Sequence, residues 1–198
     1  MPTTIALIRH GITLWNKSGR YCGCRDVGLS AEGKAQARQL AKNLKKIKFD
    51  RVYSSDRLRC LQTSRIIFGK VKLTRVRALR EIDFGLLEGM RHDEILKKYP
   101  CAYKKWLKDP FQNCIPRAEP MEKFKQRVNG ALEKIARSNS GKNLAVVCHG
   151  GVIAIFISGI LRKRNFWRYV PKAASMTLVK YRKDRPRVIK FNETRHLE

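Results

Sequence analysis

The sequence predicts an α/β fold, a three-layer α/β/α arrangement around a mostly parallel central sheet, and three observations carry that prediction. Two short apolar runs, residues 4–9 (TIALIR) and 144–148 (LAVVC), each lead directly into a His-Gly pair; uninterrupted apolar runs of this length suit strands buried on both faces. Strand-like and helix-like patterns alternate through about the first 80 residues, as they do when helices cover a parallel sheet. From about residue 85 to 140 the pattern becomes helical, which reads as an insertion over the edge of the sheet where those strands end. A chain of 198 residues with 43% hydrophobic content fits a single domain, residues 1–198, with a core of its own.

The elements follow in order. After the first strand, Ser30 is the expected N-cap of a helix whose apolar face comprises Ala37, Leu40, Ala41, Leu44 and Ile47. Residues 50–54 (DRVYS) form the second strand. A helix from about Asp56 turns Leu58, Leu61, Ile66 and Ile67 inward and stops at Gly69, and residues 71–76 make a third strand. The insertion holds helical segments at 93–107 and 121–137, separated by a proline-rich loop at 109–120. Residues 144–148 are the most strongly apolar strand, and the apolar stretch 152–161 after it is a core helix. Residues 175–182 and 187–191 alternate like a closing hairpin that turns at 184–186.

Composition sets further bounds. The chain carries 44 Lys and Arg against 16 Asp and Glu, a formal charge of +28. Such an excess favours anionic ligands and is common among nucleic-acid binders. Here it is spread along the whole chain. No helix-turn-helix, RRM or KH signature and no stacking row of aromatics accompanies it, so no specific nucleic-acid partner is expected, only non-specific attraction. The longest apolar stretch is about a dozen residues, short of the ~20 a membrane span needs. No secretory signal stands at the start. Six cysteines, at 22, 24, 60, 101, 114 and 148, lack CxxC or zinc spacing and suit reduced thiols in the cytoplasm. Leu197-Glu198 has the form of a tag remnant. Oligomeric state, a dimer included, is left open.

The chemistry concentrates at strand ends. His10 and His149 both follow a buried strand and precede glycine, and ligands of open α/β sheets collect at that edge. Arg9 adds a fork able to grip two phosphate oxygens, and Arg59 sits one turn into the helix after the second strand. Glu81, in a neighbourhood poor in acids, is a carboxyl able to hold and donate a proton, with Asp83 and Glu88 as rivals on spacing alone. No carboxylate cluster for two metals is visible, so no metal and no cofactor is expected.

The motifs around these residues resemble those of the histidine phosphatase superfamily, the phosphoglycerate-mutase-like fold. Arg9-His10-Gly11-Ile12-Thr13-Leu14-Trp15-Asn16 is similar to its RHGxTxWN signature. Ser54-Ser55-Asp56, Arg59 and Gln62-Thr63 resemble its SSDxxRxxQT motif, Glu81 to Gly89 its acidic segment, and Cys148-His149-Gly150-Gly151 its second-histidine motif. The resemblance runs from about residue 5 to 180. It implies a metal-independent phosphomonoesterase acting on a small phosphorylated metabolite. His10 would be the nucleophile, Glu81 the acid and base, and Arg9, Arg59 and His149 the groups that hold the phosphoryl oxygens. Asn16, Arg20, Gly150 and Arg117 would contact substrate. The short segment after Glu81 resembles the phosphatase branch that includes α-ribazole-5′-phosphate phosphatases and broad-specificity enzymes, whose lid loop commonly reads P-x-G-E-S. This chain instead has Pro116-Arg117-Ala118-Glu119-Pro120. A phosphoglycerate mutase is the alternative within the family. A basic nucleic-acid binder with a vestigial site is the alternative outside it.

Overall fold

A computed structural model describes residues 2–183 and 185–197. Six strands form one sheet: β1 (Thr3–Arg9), β2 (Arg51–Ser54), β3 (Leu73–Arg75), β4 (Asn143–Cys148), β5 (Met176–Arg182) and β6 (Arg185–Glu193), in the order β3-β2-β4-β1-β5-β6. The first four in that order run parallel, and β5 and β6 run antiparallel. The helices are α1 (Leu14–Lys17), α2 (Ala31–Leu44), α3 (Leu58–Phe68), α4 (His92–Lys98), α5 (Pro100–Lys108), α6 (Met121–Arg137) and α7 (Gly150–Ile160).

Alternation along β4 explains the three layers. Leu144, Val146 and Cys148 join the core beneath α6 and α7, while Ala145 and Val147 join a second core with Leu40 and Leu44 of α2 and Cys60 of α3. A strand with both faces covered has no position for a polar side chain, hence its unbroken apolar run. A third cluster, of Leu87, Ile95, Tyr103, Trp106 and Ile115, holds a small cap together. The cap is narrower than the helical stretch in the sequence. Phe124, Val128, Leu132 and Ile135 of α6 are buried in the same core as Ile5 and Leu7 of β1, so α6 belongs to the covering layer.

Several local expectations are corrected by packing. The segment expected as one helix at 93–107 is two, because Pro100 starts α5 and the preceding Tyr99 leaves the helical conformation. Helix α2 is capped by Ser30, whose side chain accepts from the Gly33 amide, but it ends at Leu44, leaving Ile47 45% exposed. The buried residues of α3 are Arg59, Cys60, Thr63 and Ser64, whereas Leu58 is 40% exposed; the polar face is turned inward to serve the sheet edge. Gly69 closes α3 at φ 63° as expected. In the terminal hairpin Asp184 lies outside the described residues, and Pro186 is in β6, paired with Tyr181. An outermost strand tolerates proline, since its missing N–H falls on an unpaired side. Glu198, half of the suspected tag remnant, also lies outside the described residues. Among the described residues no helix is long and apolar enough to cross a membrane.

Phe124 is fully buried. Phe124→Ala is expected to lower the unfolding free energy by about 3–5 kcal/mol, whereas Ile47→Ala should change it by less than about 0.5 kcal/mol. Urea denaturation of the two variants measures both.

Candidate active site

The parallel register of β1 and β4 pairs Arg9 with Cys148. The next residues, His10 and His149, therefore emerge side by side, with the His10 amide donating to the Cys148 carbonyl at 3.0 Å. Their rings meet edge to face with centroids 5.2 Å apart. Strand β2 ends alongside, and Ser55 places its hydroxyl 2.9 Å from His149 Nε2. A close approach permits this edge to form: a Cβ on Gly11 would lie 2.4 Å from the carbonyl oxygen of Gly33 at the start of α2.

His10 is buried, and its Nδ1 lies 2.8 Å from the Gly11 carbonyl. A carbonyl only accepts, so Nδ1 carries the proton and Nε2 keeps its lone pair. Burial, followed by the positive charges of Arg59 and Arg9, drives the imidazole well below the ordinary histidine value of 6.5. His149 is pushed the same way, chiefly by burial and then by Arg59. Its Nδ1 accepts from Arg59 Nε at 3.2 Å, which leaves Nε2 as the donor to Ser55.

Glu81 reaches the same point from a loop after β3. Gly151, in the first turn of α7, donates its amide to Glu81 Oε2 at 2.8 Å, and Ile82 donates to Oε1 at 3.1 Å. Burial raises its pKa above the ordinary 4.5, opposed by those two amides and then by Arg59 and Arg9. A Cβ on Gly151 would stand 2.4 Å from Glu81 Oε1, so only glycine admits the carboxyl this close. Its rivals have other tasks. Glu88 accepts from the amides of Gly23, Cys24 and Phe84, fixing the loop after α1, and Asp83 accepts from Gly85. Cys24, Asp83 and Glu88 bring potential metal-ligand atoms within 4.8 Å of one another, but these backbone bonds already engage the two carboxylates.

A cavity of about 250 Å³ opens on this edge. Arg9, His10, Asn16, Arg20, Glu81, Gly150 and Gly151 line it. Arg9 donates through Nη1 to the Pro171 carbonyl, while its buried Nε has no partner among the described residues. Asn16 Oδ1 accepts from the Thr13 amide and hydroxyl, which leaves its Nδ2 as the free polar group. Arg20 is anchored to the Gly89 carbonyl at 2.6 Å and to Glu94 at 3.3 Å.

Arg59 and His149 are buried next to His10, outside the set of residues that line the cavity. Arg59, 1% exposed, donates to the carbonyls of Cys22, Gly23 and Arg25 as well as to His149. Arg117 is not at the cavity. It is exposed, at φ 63°, in the tight stretch where Gly85 packs against the backbone of residues 116–118. The lid-loop arginine therefore faces solvent.

Two features had no local signal in the sequence. The outer cavity wall is apolar and aromatic, from Phe84, Trp106, Met121, Phe124, Phe166 and Trp167, drawn from four separate segments. Arg127, on α6, forms a fork with Glu119 at 2.6 Å through both Nε and Nη2. It also donates to the carbonyls of Ala78, Arg80 and Glu81. It thus ties the lid loop to the segment that carries Glu81.

Comparison with known proteins agrees with this geometry. Residues 5–194 match the histidine phosphatase superfamily (branch 1). The chain is 30% identical over 197 residues to phosphoserine phosphatase 1 of Hydrogenobacter thermophilus, covering 98% of this chain and 93% of that one. It superposes with TM-score 0.89 on a phosphoserine phosphatase from Entamoeba histolytica solved with 3-phosphoglyceric acid, at 30% identity, covering 99% and 100% of the two chains. YhfR of Bacillus stearothermophilus gives TM-score 0.93 at 28% identity, with the same coverage. A match along nearly the whole length, with two histidines, two arginines and a buried carboxyl assembled at one sheet edge, means that the chain belongs to the histidine phosphatase superfamily.

Proposed function

We propose that the chain hydrolyses small phosphomonoesters through a phosphohistidine formed on His10, without a metal. The observation that carries this reading is the state of His10: a buried imidazole, neutral, with its proton on Nδ1 and its Nε2 lone pair free. Attack of Nε2 on phosphorus forms the N–P bond and breaks the P–O bond to the leaving group. Glu81, protonated, gives its proton to the departing oxygen; as carboxylate it then takes a proton from the water that cleaves the N–P bond. Charge on the transferring group is met by Arg9, whose unpaired Nε is the donor for a phosphoryl oxygen, by Asn16 Nδ2 and by the N-terminal turn of α7. Arg59 orients His149 and holds the 22–25 loop, and its positive charge keeps His10 neutral. The apolar outer wall favours esters with an apolar portion, and the 250 Å³ volume keeps them small. Six free thiols support a reducing cytoplasmic setting.

His10→Ala is expected to reduce phosphate release at least about a thousandfold and to abolish an acid-labile, base-stable phosphoprotein. Unchanged turnover in that variant would refute the mechanism. Incubation with 3-phosphoglycerate should yield free phosphate; formation of the 2-isomer instead would mark a mutase.

The pH profile follows from the two shifts. Because His10 is displaced downward, activity should persist below pH 6.5 before protonation of the nucleophile ends it. Because Glu81 is displaced upward, the alkaline limb should lie above 4.5, where the acid loses its proton. Glu81→Gln should cost about 10²-fold or more with alkyl esters and less with p-nitrophenyl phosphate, whose leaving group needs little protonation. Arg127→Lys keeps the charge but loses the fork. It should lower kcat several-fold, change KM less, and move the alkaline limb to lower pH as Glu81 gains solvent; an unmoved limb would mean Arg127 is purely structural.

The same shifts predict stability. Unfolded histidine binds protons below about pH 6.5 while buried His10 and His149 do not, so stability falls as pH drops through that value. Thermal melts of His149→Asn should show a shallower acid decline than the parent.

A further inference from the structure

A second, larger cavity of about 720 Å³ lies beside the catalytic one and shares only Phe166 and Trp167 with it. Its wall runs from the end of α5 through residues 109–112 and Lys125 of α6 to the C-terminal turn of α7 and residues 162–165. Five cations, Lys108, Lys125, Arg162, Lys163 and Arg164, line it against one acid, Asp109. That acid is turned to its own loop, where Oδ1 accepts from the amides of Phe111 and Gln112. Lys125 pairs with Glu122 at 3.4 Å, but the other four cations have no acidic partner among the described residues.

Unpaired cations are expected on any chain with this charge, so number alone decides nothing. Concavity does more, because a cleft with low-dielectric walls focuses the field of charges set around it. The backbone adds a second observation. Arg162 follows the last turn of α7 at φ 53°, a place usually filled by glycine, and this turn lets its amide close on Gly159 and that of Lys163 on Ser158. The carbonyls of Ser158 and Gly159 are thereby capped. An arginine thus stands in a backbone conformation that favours glycine.

We propose that this cavity is a binding site for a small polyphosphate, separate from the catalytic pocket. Arg162, Lys163, Arg164 and Lys108 supply the charge. The volume holds several linked phosphoryl groups, which a surface of scattered cations would not gather at one point. The site stands independently of the phosphatase mechanism, since none of these residues reaches His10 or Glu81.

The test is calorimetric titration of inorganic tripolyphosphate into the full chain carrying His10→Ala, so that no turnover intervenes, in 0.15 M salt to screen diffuse attraction (Debye length ~8 Å). One-to-one binding is expected. Adding Arg162→Gly, Lys163→Ala and Arg164→Ala should weaken it at least about tenfold, close to 1.4 kcal/mol. Removing the same charge elsewhere, with Lys42→Ala, Lys45→Ala and Lys46→Ala at the end of α2, none of which lines the cavity, should change it less than about twofold. Equal losses in the two sets, no loss in the first, or no measurable binding would each overturn the proposal. Phosphate release by the Arg162/Lys163/Arg164 variant in a chain that keeps His10 should stay near the parent's, which separates failure of this site from failure of the catalytic reading.

Discussion

The pairing of β1 with β4 is the constraint on which the rest of the structure depends. Its parallel register, Arg9 against Cys148, delivers two histidines to one point, and the bond from the His10 amide to the Cys148 carbonyl fixes their separation. A slip of one residue would send one ring to the opposite face of the sheet. The apolar run of β4, buried on both sides, resists such a slip because every residue is already matched to a core. Catalytic geometry and hydrophobic packing are thus set by the same ladder.

Gathering Arg9, Arg59, His10 and His149 in a buried space is electrostatically costly, and the fold lowers that cost in two ways. Arg59 is solvated by three backbone carbonyls of the 22–25 loop, in place of water. The histidines are kept neutral, so the fixed charge is confined to two guanidiniums facing one carboxyl. Glu88 makes the first device workable. By accepting from Gly23 and Cys24 it holds the loop so that its carbonyls face Arg59. The protein is left poised for an anion: an arginine Nε without a partner, a free lone pair on His10, and a helix start beside them.

The cap works on a different principle. Its core is a separate aromatic cluster in which Tyr21 and Tyr103 share a hydrogen bond of 2.7 Å and Trp106 packs against Trp167. This cluster supplies Trp106 to the apolar wall of the cavity. Outside the cap, Arg127 and Glu119 hold the segment that carries Glu81 to the lid loop.

Sequence by itself determined the sheet-and-helix alternation, the strand ends and the candidates His10, Arg9, Arg59 and His149, because each is tied to a local pattern: an apolar run, a histidine before glycine, or the first turn of a helix. Tertiary structure decided what no local pattern encodes. It separated Glu81 from Asp83 and Glu88, since similar spacing gives no hint of which carboxyl meets Gly151 and which meets the 23–24 amides. It placed Arg117 in solvent, turned the polar face of α3 inward, and assigned α6 to the core layer. It also assembled the aromatic wall and the Arg127 clamp from distant segments. Helix and strand periodicity reports which face a residue occupies, but contact between segments depends on packing across the whole chain, and that is where the acid, the wall and the second cavity were settled.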